Sequence, residues 1–301
     1  MCFVLCIDPY SCFSYTLVLG VHALKNTFHV DIRRQVSNRD DEETVFCTKL
    51  QRGLNYYLSK QKCNWDSASR NNSLTVAGRN FTARILNAAP APDTMNNDYH
   101  QDHPEQPPVV DWNARFSATQ RTYIYRVMFL LGGKEWGIPF EFDRSWSVRL
   151  NHRQLDVAGM QQAAGYLEGT NDFSSFRAAH CQRASPIVTV NEITVRARPC
   201  GNCSSSLYNG FDNDNSGQDR SLSSSLPDDA AMLVTIRVVG NRFVYRQVRN
   251  MVGCLIEVGR GKLRPSQVNE ILKAKDRTVA PCMAPAHGLF LVDVRHGDFL
   301  F

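Results

Sequence analysis

Arg242, Arg246 and Arg249 stand at i, i+4 and i+7, a spacing that puts three guanidinium groups on one face of a helix. They lie within 240–277, a segment with nine basic residues and three acids, so its net charge of +6 exceeds the +5 of the whole chain. A second stretch, 113–126, holds Arg115, Arg121 and Arg126 with no acid, interleaved with Phe116, Tyr123 and Tyr125. Guanidinium groups neutralise phosphates and release counterions, and aromatic faces stack on unpaired bases. The combination points to single-stranded or flipped-out RNA bases rather than to duplex reading. The plainer reading is a solvated helix face beside core tyrosines, and basic patches also serve membranes and acidic proteins.

Other chemistry is weaker. Ten cysteines in 301 residues are too sparse for a disulfide scaffold. Cys200 and Cys203 form a C-x-x-C, but a tetrahedral zinc site wants a second pair at similar spacing and none follows. The reading is therefore no metal and ordinary reduced thiols in an intracellular protein, in a compartment the sequence leaves open. No apolar run approaches the roughly 20 residues of a membrane span, so no membrane partner is expected. The first residues, MCFVLCIDPYSCFSYTLVLG, are apolar but interrupted by Asp8 and Pro9. No Lys or Arg precedes Lys25, so they match neither a signal peptide nor an Arg-rich presequence. They read as a buried strand or as non-native coding sequence.

A length of 301 residues with 43% hydrophobic and 21% charged content suits a globular chain of one or two domains. The elements that would position the arginines and tyrosines alternate between two periods. Phe116 to Leu131 has Tyr123, Tyr125, Val127 and Phe129 on one face and Ile124 and Met128 on the other, which predicts a strand. Met232, Val234, Ile236 and Val238 predict another, broken at Gly240–Asn241, and HGLFLVDV (287–294) a last one. Leu155 to Leu167 has helical spacing with Gly169 as a stop. Val244, Val248, Met251, Leu255 and Ile256 continue a helix to Gly259 and Gly261, and Ser266 is a candidate cap for a short one. Three polar stretches, 59–80, 92–109 and 200–231, read as loop insertions. The last holds eight Ser and five Asp and carries a net −4, too polar to offset its ordering entropy. With no dinucleotide motif and no P-loop, the class is α/β or α+β. The expected division is an N-terminal domain over 1–150 and a C-terminal one over 151–301.

Four blocks then resemble one family: WNARFSATQRTYIYRV (112–127), DFSSFRAAHCQRASPIVTV (172–190), GNRFVYRQVRNMVGCLIEVGRGK (240–262) and APAHGLFL (284–291). Together, and in this order, they are similar to tRNA pseudouridine synthases of the TruA type; GVHALKNTFHVD (20–31) resembles the segment after that family's catalytic loop. The resemblance implies two α/β domains sharing one continuous, curved, mostly antiparallel sheet with a central RNA-binding cleft. It implies a homodimer in which one tRNA touches both subunits, and a reaction without cofactor or metal. A uridine of the anticodon arm is flipped out, its glycosidic bond broken, the base rotated and a carbon–carbon bond made to the ribose. The family's nucleophile is an Asp, which needs a cation to hold it ionised in a closed pocket. Arg249 of V-R-N resembles that cation. Tyr123 of R-T-Y-I-Y resembles the ring that stacks on the flipped uracil, helping offset a flipping cost of a few kcal/mol. Arg115, Arg121, Arg242 and Arg246 are the expected RNA-binding residues.

One departure is central. The family motif R-T-D-x-G-V-H-A ends here in Gly20, Val21, His22 and Ala23. Counting back puts Thr16, Leu17 and Val18 at the Arg, Thr and Asp positions. Val18 can neither attack nor ionise, and Asp8 is a poor substitute, so no nucleophile is identifiable. Two expectations follow: a tRNA pseudouridine synthase whose residues 1–19 come from a truncated or mis-spliced reading, or a catalytically inactive RNA-binding relative.

Overall fold

The computed structural model describes residues 2–7, 21–24, 26–31, 43–60, 85–90, 114, 116–130, 144–150, 155–200 and 231–297. Val18, Arg115, Cys203 and nearly all of the three polar stretches lie outside them. Ser59 and Lys60 of the first stretch belong to a helix, and Cys200 and Ala231 close the strands flanking the third. The elements are β1 (Cys2–Ile7), β2 (His22–Ala23), β3 (Asn26–Asp31), α1 (Glu43–Lys60), β4 (Ile85–Pro90), β5 (Gln120–Leu130), β6 (Trp146–Arg149), α2 (Val157–Gly165), β7 (Gly169–Asp172), β8 (Ile187–Cys200), β9 (Ala231–Gly240), α3 (Gln247–Gly259), α4 (Pro265–Ala274) and β10 (Leu289–Arg295). Mixed helices and strands, with both parallel and antiparallel pairs, make this an α+β protein. The chain divides into two compact units, Met1–Arg121 with Phe290–Phe301, and Thr122–Leu289.

In the first unit the apolar N-terminus does form a strand. β1 is the middle of the order β3-β1-β4 and is antiparallel to both neighbours. α1 packs on β4. β2 pairs in parallel with β10, placing His22 opposite Phe290 with their rings stacked at 4.6 Å. His296 is almost fully buried and bonded at both ring nitrogens, to the Thr27 hydroxyl at 2.7 Å and the Ser117 hydroxyl at 2.9 Å. Those bonds fix the segment that follows Gly20 beside the end of the chain.

In the second unit the strands run β5-β9-β8-β7, with β6 in parallel on β5 and β7-β8-β9 antiparallel. β5 and β9 are apolar because both their faces are covered. Every residue from Ile124 to Leu130 is buried, as are Ala231–Val234, and Met128, Leu130, Ala231 and Leu233 form one cluster. Arg126 shares this fate at 6% exposed, so it is no surface cation.

α2 begins at Asp156, whose carboxylate accepts from the Gly159 N–H at 2.7 Å, and packs on β8, α3 and α4 through Met160, Ala163 and Ala164. The cap of α4 is Arg264, not Ser266. Pro265 takes the first helical position, where its missing N–H costs nothing, and the Gln267 side chain accepts from the Arg264 N–H at 2.8 Å. Leu289–Arg295 is the last strand as expected, but His287 lies in a 3-10 turn, Ala286–Gly288, ahead of it.

Candidate functional site

The three arginines do not share a helix face. α3 starts only at Gln247. Arg246 is its cap in the left-handed region at φ 62°, and Arg242 lies before the helix in non-helical backbone. The break has a cause. The Tyr245 carbonyl accepts from the Ala178 N–H at 3.1 Å, and its N–H donates to the Cys181 thiol sulfur at 3.4 Å. With both backbone groups engaged by the 177–181 loop, the helix cannot extend through Tyr245. Burial raises the pKa of the Cys181 thiol. N–H donors from Tyr245 and Arg183, with the Arg177 guanidinium, outweigh burial and leave it below an ordinary thiol.

Arg249 sits in the first turn of α3, 7% exposed. Its Nε donates to the Ala284 carbonyl at 2.7 Å. Among the described residues that is the sole hydrogen bond of its side chain, so its two terminal amino groups remain for an anion. Burial lowers its pKa, the positive charge of Arg246 lowers it further, and the Tyr125 and Tyr245 rings oppose both. A guanidinium stays charged under such pressure. A buried, half-satisfied cation is costly unless it meets a negative partner.

Two features hold Arg249 in place. Asn250, also buried, donates to the Phe176 carbonyl at 2.7 Å and accepts from Arg277 at 3.2 Å, tying the start of α3 to the turns at 174–176 and 277–279. Gly253 brings the helix so close to the 282–284 segment that a Cβ there would strike the Cys282 carbonyl. That contact sets the Ala284 carbonyl on which Arg249 hangs.

The tyrosines divide in role. Tyr125 is fully buried, and its hydroxyl donates to the Pro285 carbonyl at 2.7 Å. Burial pushes its pKa far above that of a free phenol, so it acts as a neutral strut. Gly288 permits this packing, since a Cβ there would lie 2.7 Å from the ring. Tyr123, two residues along the same strand face, is only half-buried and meets Phe243 edge-to-face at 5.3 Å. Phe243 supports the ring on one side and the rest of it stays partly open.

The +6 cluster is not one cationic surface. Arg260 and Lys262 both bind Glu257, at 2.9 and 3.3 Å, and Lys275 binds Asp172 at 3.3 Å. Arg277 is spent on the Ala280 carbonyl and Asn250. Arg242 and Arg246, both half-buried, lie in the segment leading into α3. Arg121 lies in the first unit, with a guanidinium nitrogen donating to the Ala118 carbonyl at 3.3 Å. Among the described residues no group of three or more His, Cys, Asp or Glu side chains gathers to hold a metal. None of the described helices is long and apolar enough to cross a membrane.

A buried arginine in V-R-N, held by a loop carbonyl and followed by an asparagine that ties two turns, lies inside a segment that matches a known family. Residues 163–296 match the sequence model of the family described as tRNA pseudouridine synthase. Over these residues the chain is similar to the tRNA pseudouridine synthases. The tRNA pseudouridine synthase A of Xanthobacter autotrophicus is 28% identical over 277 residues, 92% of this chain and 78% of that protein. Those of Ehrlichia chaffeensis and Vibrio cholerae are 31% and 35% identical, each over 61% of this chain. This chain spans 59% and 55% of their lengths. The family match runs from the end of α2 through β10, hence over Arg246, Arg249 and Asn250, while Tyr123 lies outside it. Reading single residues missed Asn250, Phe243 and the Ala284 and Pro285 carbonyls. Each stands in a block that carries the resemblance, and that was the available signal.

Proposed function

We propose that this chain has the build of an enzyme that isomerises uridine to pseudouridine in the anticodon arm of tRNA, and that it needs an Asp at position 18, where it carries Val, to do so. The observation that carries the reading is Arg249, a buried cation with one hydrogen bond to the protein and two amino groups left over. That is what a nucleophilic carboxylate needs beside it to stay ionised in a closed pocket. In the family that the chain resembles, the carboxylate stands at the place of position 18, which is Val18 here, so the steps that follow are those of the chain restored to Asp at that position. The carboxylate attacks the ribose or assists glycal formation, and the glycosidic bond breaks. The freed uracil turns while stacked on Tyr123, and its C5 is joined to C1′ as the C5 proton leaves. Arg121, Arg242, Arg246 and Arg115 neutralise tRNA phosphates. A homodimer sharing one tRNA completes the reading. Neither the family match nor the relatives named above supports the alternative of an inactive relative; all carry the synthase name.

The test is incubation with unmodified tRNA, scored for pseudouridine position by position. The chain is compared with a version whose loop is restored by Thr16→Arg, Leu17→Thr and Val18→Asp. The expected result is tRNA binding by both, and turnover at least about 1,000-fold faster in the restored chain, the scale on which removing a nucleophile is felt. Equal turnover would remove position 18 from the mechanism. No tRNA binding by either would remove the function.

A further inference from the structure

Arg246 is built at a cost that its place in the fold does not explain. It adopts φ 62°, a conformation that strains a long side chain and suits Asn or Gly. It caps α3 with no side-chain hydrogen bond. Its Nε is buried without a partner, alone in this among the buried side-chain polar atoms of the described residues. Its guanidinium lies over the Tyr245 ring, 4.8 Å from the centroid, and that ring is 37% exposed. The ring is fixed in turn by the two backbone bonds to Ala178 and Cys181. An outlier of this kind, held by its surroundings at an active site, argues for a role.

Charge says what the role is. Arg246 stands close enough to Arg249 for its positive charge to disfavour that of Arg249. Among the described residues neither forms an ion pair with a carboxylate. Two cations beside the N-terminal end of a helix make a site of net +2 before the helix dipole is added. Among the described residues no carboxylate balances either of them, so an anion must come with the substrate, and RNA brings one phosphate for every nucleotide. A planar fork pinned on an aromatic ring is the geometry that matches two phosphate oxygens.

We propose that Arg246 grips the phosphodiester of the flipped nucleotide, so that the backbone is held by Arg246 while Arg249 serves the reacting carboxylate. This rests on the function proposed above and goes beyond general neutralisation of tRNA, because it assigns one arginine to one phosphate. Arg242 and Arg121 contribute to affinity wherever phosphates pass. Arg246 sets which sugar lies in reach of the nucleophile.

The experiment uses the full chain, its Arg246→Asn and Arg246→Lys variants, and a set of anticodon-arm RNAs each carrying one neutral methylphosphonate. Asn suits the left-handed cap, so Arg246→Asn is expected to fold with an unchanged or raised melting temperature. It should bind tRNA about 10-fold more weakly, with the salt slope reduced by about one. At one phosphate only, the methylphosphonate should weaken the unsubstituted chain and leave Arg246→Asn unaffected. Arg246→Lys, which keeps the charge but not the fork, should regain the salt slope and only part of the affinity. Unchanged affinity in Arg246→Asn, or methylphosphonate losses that add to the substitution at every position, would overturn the assignment while leaving the function standing. No binding of tRNA by the unsubstituted chain would overturn both.

Discussion

At the scale of residues, the site depends on which side chains the fold leaves unsatisfied. Arg249 and Arg246 are both short of partners; Tyr125, Asn250 and Arg277 are not. In the proposed function the first pair serves the substrate, and the second group holds the backbone around it. Arg249→Ala in the restored chain is therefore expected to fold, because it removes a buried charge and leaves only the Ala284 carbonyl without its donor. Turnover should fall by a factor on the order of 1,000, the scale of a lost electrostatic partner. Stopped-time pseudouridine assays beside a thermal melt check this, and near-normal turnover would withdraw the role. Cysteine chemistry gives a second check. Burial holds the Cys254 thiol up at about 12, whereas the pKa of Cys181 lies below that of an ordinary thiol. Iodoacetamide near pH 7.5 should label Cys181 at least about 10-fold faster than Cys254, read by peptide mass spectrometry. Tyr123 and Arg249 were legible in the sequence through their motif blocks. The conformation of Arg246 was not. F-V-Y-R-Q-V-R-N contains no Gly or Pro to mark a break, and the interruption comes from loop residues more than 60 positions earlier, at Ala178 and Cys181.

At the scale of elements, α3 is the part that carries Arg249, and two contacts set its position. Gly253→Ala drives a methyl into the Cys282 carbonyl. It is expected to destabilise by about 1–3 kcal/mol, as overpacking does. Because the same segment holds the Ala284 carbonyl, turnover in the restored chain should fall beyond what stability explains. Chemical denaturation with kinetics on the folded fraction separates the two effects. Asp156→Ala removes the cap of α2 and should cost about 1 kcal/mol with no change in turnover. β5, β9, α2 and α3 were readable because apolar periodicity is strong where burial is high. α1 and β4 were missed. The charged run NRDDEE just ahead of α1 reads as loop, and β4 is a six-residue strand, ILNAAP, with no strict alternation. The supposed single arginine face failed for the opposite reason: spacing of i, i+4 and i+7 fits a helix whether or not the backbone is helical.

At the scale of the molecule, net charge proved a poor guide to surface. Arg260 and Lys262 pair with Glu257, Lys275 pairs with Asp172 and Arg249 is buried, so the +6 does not map onto one exposed surface. Stability should vary with pH through such pairs. The Asp172 carboxylate is bonded by the Ser174 hydroxyl and N–H and by Lys275, and those donors hold its pKa below an ordinary carboxylate. A depressed folded-state value means the stabilisation is fully present above the unfolded-state pKa and is lost as pH falls through the folded one. Asp172→Asn should therefore lower the melting temperature at pH 7 and narrow the gap to the parent as pH drops below about 4. An equal gap at all pH values would refute this. The central claim, that this chain's buried arginine and half-open tyrosine are parts of a uridine-isomerising site, is tested most directly by mapping pseudouridine in unmodified tRNA after incubation with the chain restored at positions 16–18. The expected product is pseudouridine in the anticodon arm, formed by the restored chain and lost when Arg249→Ala is added. Saturating tRNA binding by the restored chain with no pseudouridine formed would contradict it.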